Sequence, residues 1–363
     1  MKKNGQEDVH IVDDSDSDAT VVPENYDITS FGADYDVEGC VKRLIRGDIF
    51  IPPFQRDYVW NLKDASRFIE SLLFGLPVPG VFLAKEQGTN KLLVIDGQQR
   101  LKTLQFFFSG FFNPKKDEKK HRVFKLTGVQ ERYEGKTFED LEESDRVTLN
   151  DSIIHATIIK QESPEGDDTS VYHVFERLNS GGRKLAAQEI RSALYHGGLI
   201  DLVSELNDNE SWRNIFGKPH IRLKDVELII RFFAFDTSSE NYQKPMNNFL
   251  NKFTAKYRNP DKKTIQYFRN TFTDTINLLF SVIGKNTFKL EKGVNAAVFD
   301  SVMYGVSQRL SKGVIHDNAD FKRSYNELLS DETYRKSVSQ STADDTSVAL
   351  RTKLAIQYFE KVK

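Results

Sequence analysis

The chain has 363 residues, enough for two ordinary domains, and its 39% hydrophobic and 12% aromatic content can fill buried cores. Lys+Arg at 51 against Asp+Glu at 53 leaves a net charge of -2, which excludes a global attraction to nucleic acid or to an anionic membrane, so any such contact has to come from a local patch. Cys40 is the single cysteine, which excludes an intramolecular disulfide and thiolate zinc clusters and fits a reducing compartment; no apolar run approaches the ~20 residues of a spanning helix, Met1 to His10 lacks an apolar signal core, and the expected location is cytoplasmic.

Residues 1–25 are polar and acidic around Asp13, Asp14, Asp16 and Asp18, and read as a disordered tail; the spaced ligands and closing Glu of a calcium loop are missing. Order is expected from Tyr26. Val37, Val41, Leu44 and Ile45 share one helical face between Asp34 and Gly47, and Ile49 to Ile51 forms a brief strand stopped by Pro52 and Pro53. Asn61 caps a second helix with the stripe Ala65, Phe68, Ile69, Leu72 and Leu73, ended by Gly75 and Pro77. Strands at Val81 to Lys85 and Lys91 to Ile95 are joined by the turn-rich 87–90, and a helix runs from Gln98 to Phe108.

Lys115 to Arg122 is charged but interrupted by Asp117 and Glu118, and reads as an exposed loop rather than a nucleic-acid patch. Strands are expected at Val123 to Leu126 and Ile153 to Lys160, then a helix opening at Thr169 or Ser170 through Val171, Val174, Phe175 and Leu178, closed by Gly181-Gly182, and another from Ala186 to Tyr195. Beyond His196 helical periodicity takes over, as in Val226, Leu228, Ile229, Ile230, Phe232 and Phe233, and in the series Leu350, Leu354 and Tyr358; the polar stretch 331–346 reads as a loop. The expected class is α+β, with a mixed α/β domain over 26–196 followed by an all-helical domain over 197–363.

The usual catalytic signatures are absent from the sequence. It contains no Gly-x-x-x-x-Gly-Lys-Ser/Thr, no Gly-x-Gly, no Gly-x-Ser-x-Gly and no His-Glu-x-x-His, and its seven histidines are scattered, with His155 and His173 read as structural or surface residues.

Three polar segments stand out instead. Asp96-Gly97-Gln98-Gln99-Arg100 sits where an apolar strand hands over to an amphipathic helix, a junction that leaves first-turn amides unpaired and turns the positive end of the helix dipole outward, ready for an anion. Arg100 would oppose that dipole unless a phosphate-like group met it; the competing account has Asp96 capping the helix and Arg100 pairing at the surface. The second segment runs from Ile51 to Trp60, with prolines stiffening a loop that carries Gln55, Arg56 and Trp60. The third, Phe175 to Gly182, is a helix end whose turn presents amides and Asn179. Singly, each also reads as a braced loop or a helix cap.

Together, PPFQRDYVW, VIDGQQRLKTL and FERLNSGGRKLAAQEIR, in this order over residues 50 to about 195, resemble the N-terminal domain of GmrSD-type restriction endonucleases, which is similar to the ParB/sulfiredoxin fold; RLKDVELIIRFF and MNNFLNKF resemble the region that follows that domain. The resemblance implies a nucleotide-dependent, nucleoside triphosphate-hydrolysing component of a bacterial anti-phage or modification-dependent DNA restriction system. Carried over by position, it implies catalytic roles for Asp96, Gln98, Gln99 and Arg100, nucleotide contacts from Gln55, Arg56, Gly97, Arg100, Asn179 and Gly182, and Asp96 as the candidate ligand of Mg²⁺. Full-length relatives carry a His-Asn-His nuclease module; here His196, His220 and His316 of the second half lie in no such motif, so cutting is expected from a separate nuclease subunit. The further expectations are DNA as a partner and docking or self-association through the helical domain, with no membrane partner. Two alternatives stand beside this one: a non-catalytic ParB-like module that contacts DNA or protein under nucleotide control, and an autonomous nuclease.

Overall fold

A computed structural model of the chain describes residues 11–12, 27–51, 58–86, 91–115, 120–163, 172, 174, 186–291 and 293–363. In chain order the elements are β1 (Ile11–Val12), β2 (Asp27–Asp36), α1 (Val37–Arg46), β3 (Ile49–Phe50), α2 (Leu62–Leu73), β4 (Val81–Lys85), β5 (Leu92–Asp96), α3 (Gln98–Ser109), α4 (Glu143–Asp151) and β6 (Ile153–Ser163). Then follow α5 (Ala187–Leu194), α6 (Gly198–Asn207), α7 (Glu210–Phe216), α8 (Lys224–Ser238), α9 (Met246–Lys256), α10 (Lys262–Val282), β7 (Val294–Asn295), α11 (Ala296–Leu310), α12 (Asn318–Ser330), α13 (Glu332–Ser337) and α14 (Asp345–Phe359). The chain divides into a mixed unit, Asn25–Lys184, and a helical unit made of Met1–Glu24 and Leu185–Lys363.

The mixed unit is built on a five-stranded sheet of order β2-β6-β4-β5-β3. β2 runs antiparallel to β6, β6 parallel to β4, β4 antiparallel to β5, and β3 parallel to β5. Every residue of Leu92 to Ile95 is buried, as expected of a strand with neighbours on both sides. Alternation along the strands sends Val81, Leu83, Leu92, Val94, Ile154, Ala156 and Ile158 into one core with Val41, Ile69, Leu72, Leu101, Leu104 and Phe107 of the helices. Helix ends follow local chemistry. Asn61 accepts the Asp64 amide at 3.0 Å, and Asp36 caps α1 while Gly47 closes it at φ 77°.

Several expectations change here. Ile45, grouped by sequence with the buried face of α1, is 69% exposed, because α1 turns Val37, Cys40 and Val41 inward. Val123 to Leu126 makes only an isolated bridge, Phe111 with Val123, and a local pairing of Leu126 with Gly135 and Lys136, so it joins no sheet. β2 and α4 carry no period-2 or apolar helical signal and form through partners distant in sequence. The helix expected over 169–178 lies outside the described residues apart from Tyr172 and Val174, both helical.

The helical unit holds one large core around Trp212, Phe232, Phe233, Phe272 and Phe299. Its division from the mixed unit falls at Lys184 and Leu185, so α5, grouped by sequence with the mixed domain, packs with α8 and α9 instead. Arg191 is the reason: fully buried, it donates to Asn251 Oδ1 at 2.9 Å, Gln188 Oε1 at 2.5 Å and Asn247 Oδ1 at 3.0 Å. In the acidic N-terminal stretch, Ile11–Val12 pairs in parallel with Val294–Asn295; the rest of residues 1–25 lies outside the described set. The stretch 331–346 contains α13, capped by Asp331, rather than only a loop. The stripe on α14 is also shifted. Val348, Arg351, Thr352, Ala355 and Phe359 face inward while Leu350 is 37% exposed. None of the described helices is long and apolar enough to cross a membrane.

Candidate functional site

The handover from β5 to α3 is sharp because Gly97, the residue before the helix, adopts φ 99°. A Cβ there would lie 2.4 Å from Val81 Cγ1 and 2.9 Å from Val81 Cβ, at the start of the neighbouring strand, so both the left-handed backbone and the close approach require glycine. The first intrahelical bond runs from the Leu101 N–H to the Gly97 carbonyl at 3.0 Å. The amides of Gln99 and Arg100, ahead of it, have no acceptor inside the helix. No side chain caps this end and no acid occupies the first turn, so Asp96 does not play the capping role considered from sequence.

Asp96 pairs with Arg100 instead. Arg100 Nη2 donates to Asp96 Oδ2 at 2.8 Å; the carboxylate side chain is 56% exposed and the guanidinium side chain 16%. A cation in a first helical turn opposes the dipole, and the adjacent carboxylate offsets that cost. Arg100 Nε is buried without a hydrogen-bond partner. A buried, partnerless guanidinium N–H is unfavourable by about 1–3 kcal/mol and is the kind of donor an incoming anion satisfies.

Gln99 points toward a different part of the chain. Its Oε1 accepts the Val59 N–H at 2.9 Å and the Trp60 N–H at 3.3 Å. One turn on, Thr103 Oγ1 donates to the Gln99 carbonyl at 2.7 Å and therefore accepts from Tyr58 Oη, also at 2.7 Å. The Tyr58 ring packs edge-on against Phe106 and Phe112 at 5.0 and 5.7 Å, and Trp60 against Phe68 at 5.6 Å. Burial pushes the Tyr58 hydroxyl up to about 12. The end of the Ile51 to Trp60 segment is thus fastened to the helix that follows the Asp96 to Arg100 turn.

Of the residues singled out in the sequence, Asp96, Gly97, Gln98, Gln99 and Arg100 fall together at one turn; Gln55, Arg56, Asn179 and Gly182 lie outside the described residues. Sequence reasoning missed Val81, Tyr58 and Thr103. Tyr58 stands inside a quoted motif, whereas Val81 and Thr103 give no signal beyond ordinary strand and helix residues. Among the described residues no cluster of three or more His, Cys, Asp or Glu side chains is arranged to hold a metal ion. A single exposed carboxylate such as Asp96 suits Mg²⁺, which binds through one or two carboxylates and the phosphates of its substrate.

A comparison with curated proteins returns no match. Residues 37–196 match the family described as GmrSD restriction endonuclease, N-terminal domain, and all three polar segments fall inside that span. The match supports an association with a restriction system. The likeness to the GmrSD restriction endonuclease N-terminal domain is thus carried by residues 37–196 of the chain.

Proposed function

We propose that this chain is the nucleotide-binding and nucleoside triphosphate-hydrolysing component of a DNA restriction system directed against phage or modified DNA, and that the turn from Asp96 to Arg100 is its nucleotide site. The observation that carries the reading is Arg100: a largely buried guanidinium with a partnerless Nε, at a helix start that no side chain caps. Arg100 would grip phosphate oxygens through its planar fork, joined by Arg56. The first-turn amides add donors, and Gln55, Asn179 and Gly182 complete the surroundings. Asp96 is the residue to hold Mg²⁺, which, when bound, neutralises charge developing on the phosphates. One of the two glutamines, Gln98 or Gln99, orients the attacking water. The overall ParB/sulfiredoxin-like topology belongs to the same reading.

In this reading cutting of DNA falls to a nuclease module outside residues 1–363, and the helical unit is the surface for a partner or for self-association. The competing reading, a module that binds nucleotide without turning it over, keeps the same pocket and differs only in phosphate release. An autonomous nuclease would nick plasmid in a metal-dependent way that Asp96→Ala abolishes.

The deciding measurement is labelled-nucleotide binding and phosphate release on the purified chain, with Asp96→Ala and Arg100→Ala alongside and circular dichroism as the fold control. A charge-assisted hydrogen bond contributes about 1.5–3 kcal/mol, so a roughly tenfold or larger loss is expected in each variant. Unchanged binding and turnover in both would discard the assignment.

A further inference from the structure

The two adjacent glutamines of the turn are chemically equivalent in sequence, and the structure separates them. Gln99 Oε1 already accepts two backbone N–H groups, from Val59 and Trp60. A carboxamide oxygen has two lone-pair directions, so both are in use. A glutamine that orients an attacking water does so by accepting one of its protons through that same oxygen. Gln99 has no acceptor left for the task.

On this basis, and resting on the nucleotide reading above, we propose that Gln99 is a positioning residue: its carboxamide oxygen clamps the end of the PPFQRDYVW segment onto α3 and does not orient the attacking water. Three features support the clamp independently of any nucleotide. Oε1 bridges two consecutive amides, a geometry that fixes backbone direction as well as position. The backbone of Gln99 takes part too, since its carbonyl accepts from Thr103, which accepts from Tyr58, so the two anchors bracket residues 58–60. Tyr58 is buried against the face of α3 that carries Phe106, whereas Val59 between the anchors is 65% exposed, so the hydrogen bonds rather than packing hold that residue.

The test uses the full chain and two substitutions, Gln99→Leu, which removes the acceptor, and Gln99→Glu, which keeps one. The chain has two tryptophans, and Trp212 is fully buried, so iodide quenching of fluorescence reads Trp60. Expected results are at least a twofold rise in the quenching constant for Gln99→Leu and a parental value for Gln99→Glu. Where nucleotide is turned over, Gln99→Leu should raise KM at least fivefold with kcat within about threefold of the parent. Parental quenching in Gln99→Leu overturns the clamp. A kcat loss of a hundredfold at unchanged KM in Gln99→Leu overturns it as well, since that marks contact with the reacting groups. Failure of the nucleotide reading is seen separately, as parental binding and turnover in Asp96→Ala and Arg100→Ala, and leaves the Trp60 readout standing on its own.

Discussion

The mixed unit and the helical unit use charge in opposite ways. In the mixed unit the described buried polar residues are Ser66, Thr103 and Asp145, and the charges of the central turn sit at the rim of the sheet, with Asp96 open to solvent. In the helical unit, Arg191, Asp225, Glu227, Arg231, Asp300 and Arg351 are all buried. Arg231 grips Asp300 with two bonds, Nε to Oδ1 at 3.0 Å and Nη2 to Oδ2 at 2.6 Å, and Arg351 adds a third to Oδ2 at 3.2 Å. Arg351 also donates to the Thr342 carbonyl. Two guanidiniums on one carboxylate, far from water, are a packing device that fixes how helices meet. Abundance of charge therefore does not mark the candidate site: among the described residues the buried ionic network around Asp300 is architectural, and the pair with a solvent-open carboxylate is the sparse one at the end of β5.

The sharpest way to break this contrast is Asp300→Ala. It leaves Arg231 and Arg351 buried without their shared partner, and a loss of about 3–5 kcal/mol is expected in denaturant unfolding of the helical unit. Nucleotide binding by the mixed unit should persist wherever that unit remains folded. A loss below about 1 kcal/mol would show that the network carries little of the architecture.

Next in size is Gly97→Ala, which puts a methyl against Val81 and forces a left-handed residue. The left-handed backbone costs about 1–2 kcal/mol and the overpacking about 1–3 kcal/mol. Adding Val81→Ala removes the overlap with Cγ1 and keeps that with Cβ, so it should relieve part of the second contribution and leave the first, seen as partial recovery of the melting temperature. Full recovery would mean that backbone geometry at the turn is not strained.

A smaller and graded effect comes from alkaline pH. Burial, followed by the nearby Asp36 carboxylate, pushes the Cys40 thiol up to about 12 from an ordinary value of 9.0. Tyr58 moves to about 12 from 10.0, chiefly through burial. Because the folded-state values lie above the unfolded ones, the native form holds these protons more tightly. Their stabilisation is complete below about pH 9 and is lost as pH rises toward 12, first at about 1.4 kcal/mol per pH unit from Cys40, then more steeply above 10 as Tyr58 joins. Cys40→Ala should flatten the first step in a urea-unfolding series against pH. The helical unit gives a second alkaline decline, since Tyr242, Tyr325 and Tyr334 are raised by burial as well.

Much of the mixed unit was legible because its signals are local. Asn61 caps α2, Gly47 closes α1 at positive φ, and the apolar faces of α2 and α3 repeat at helical spacing. β2 was not legible, since Asp27–Asp36 is an edge strand with most described side chains exposed, and it becomes a strand only by pairing along its length with β6. The buried face of α14 around Arg351 was not legible for a related reason. An arginine is assigned to the surface by default, and Arg351 is inside only because Asp300, on another helix, receives it. The turn itself was legible from its residues, while the difference between its glutamines was not, because the partners of Gln99 are backbone groups about forty positions away.

The pairing of Ile11–Val12 with Val294–Asn295 gives the chain a nested order, like a clause opened before a parenthesis and closed after it. During synthesis the mixed unit is complete as soon as Lys184 has left the ribosome, whereas the first strand must wait for a partner made far later. The part that carries the candidate turn can therefore form early, and the helical part is finished only after Val294–Asn295 has been made.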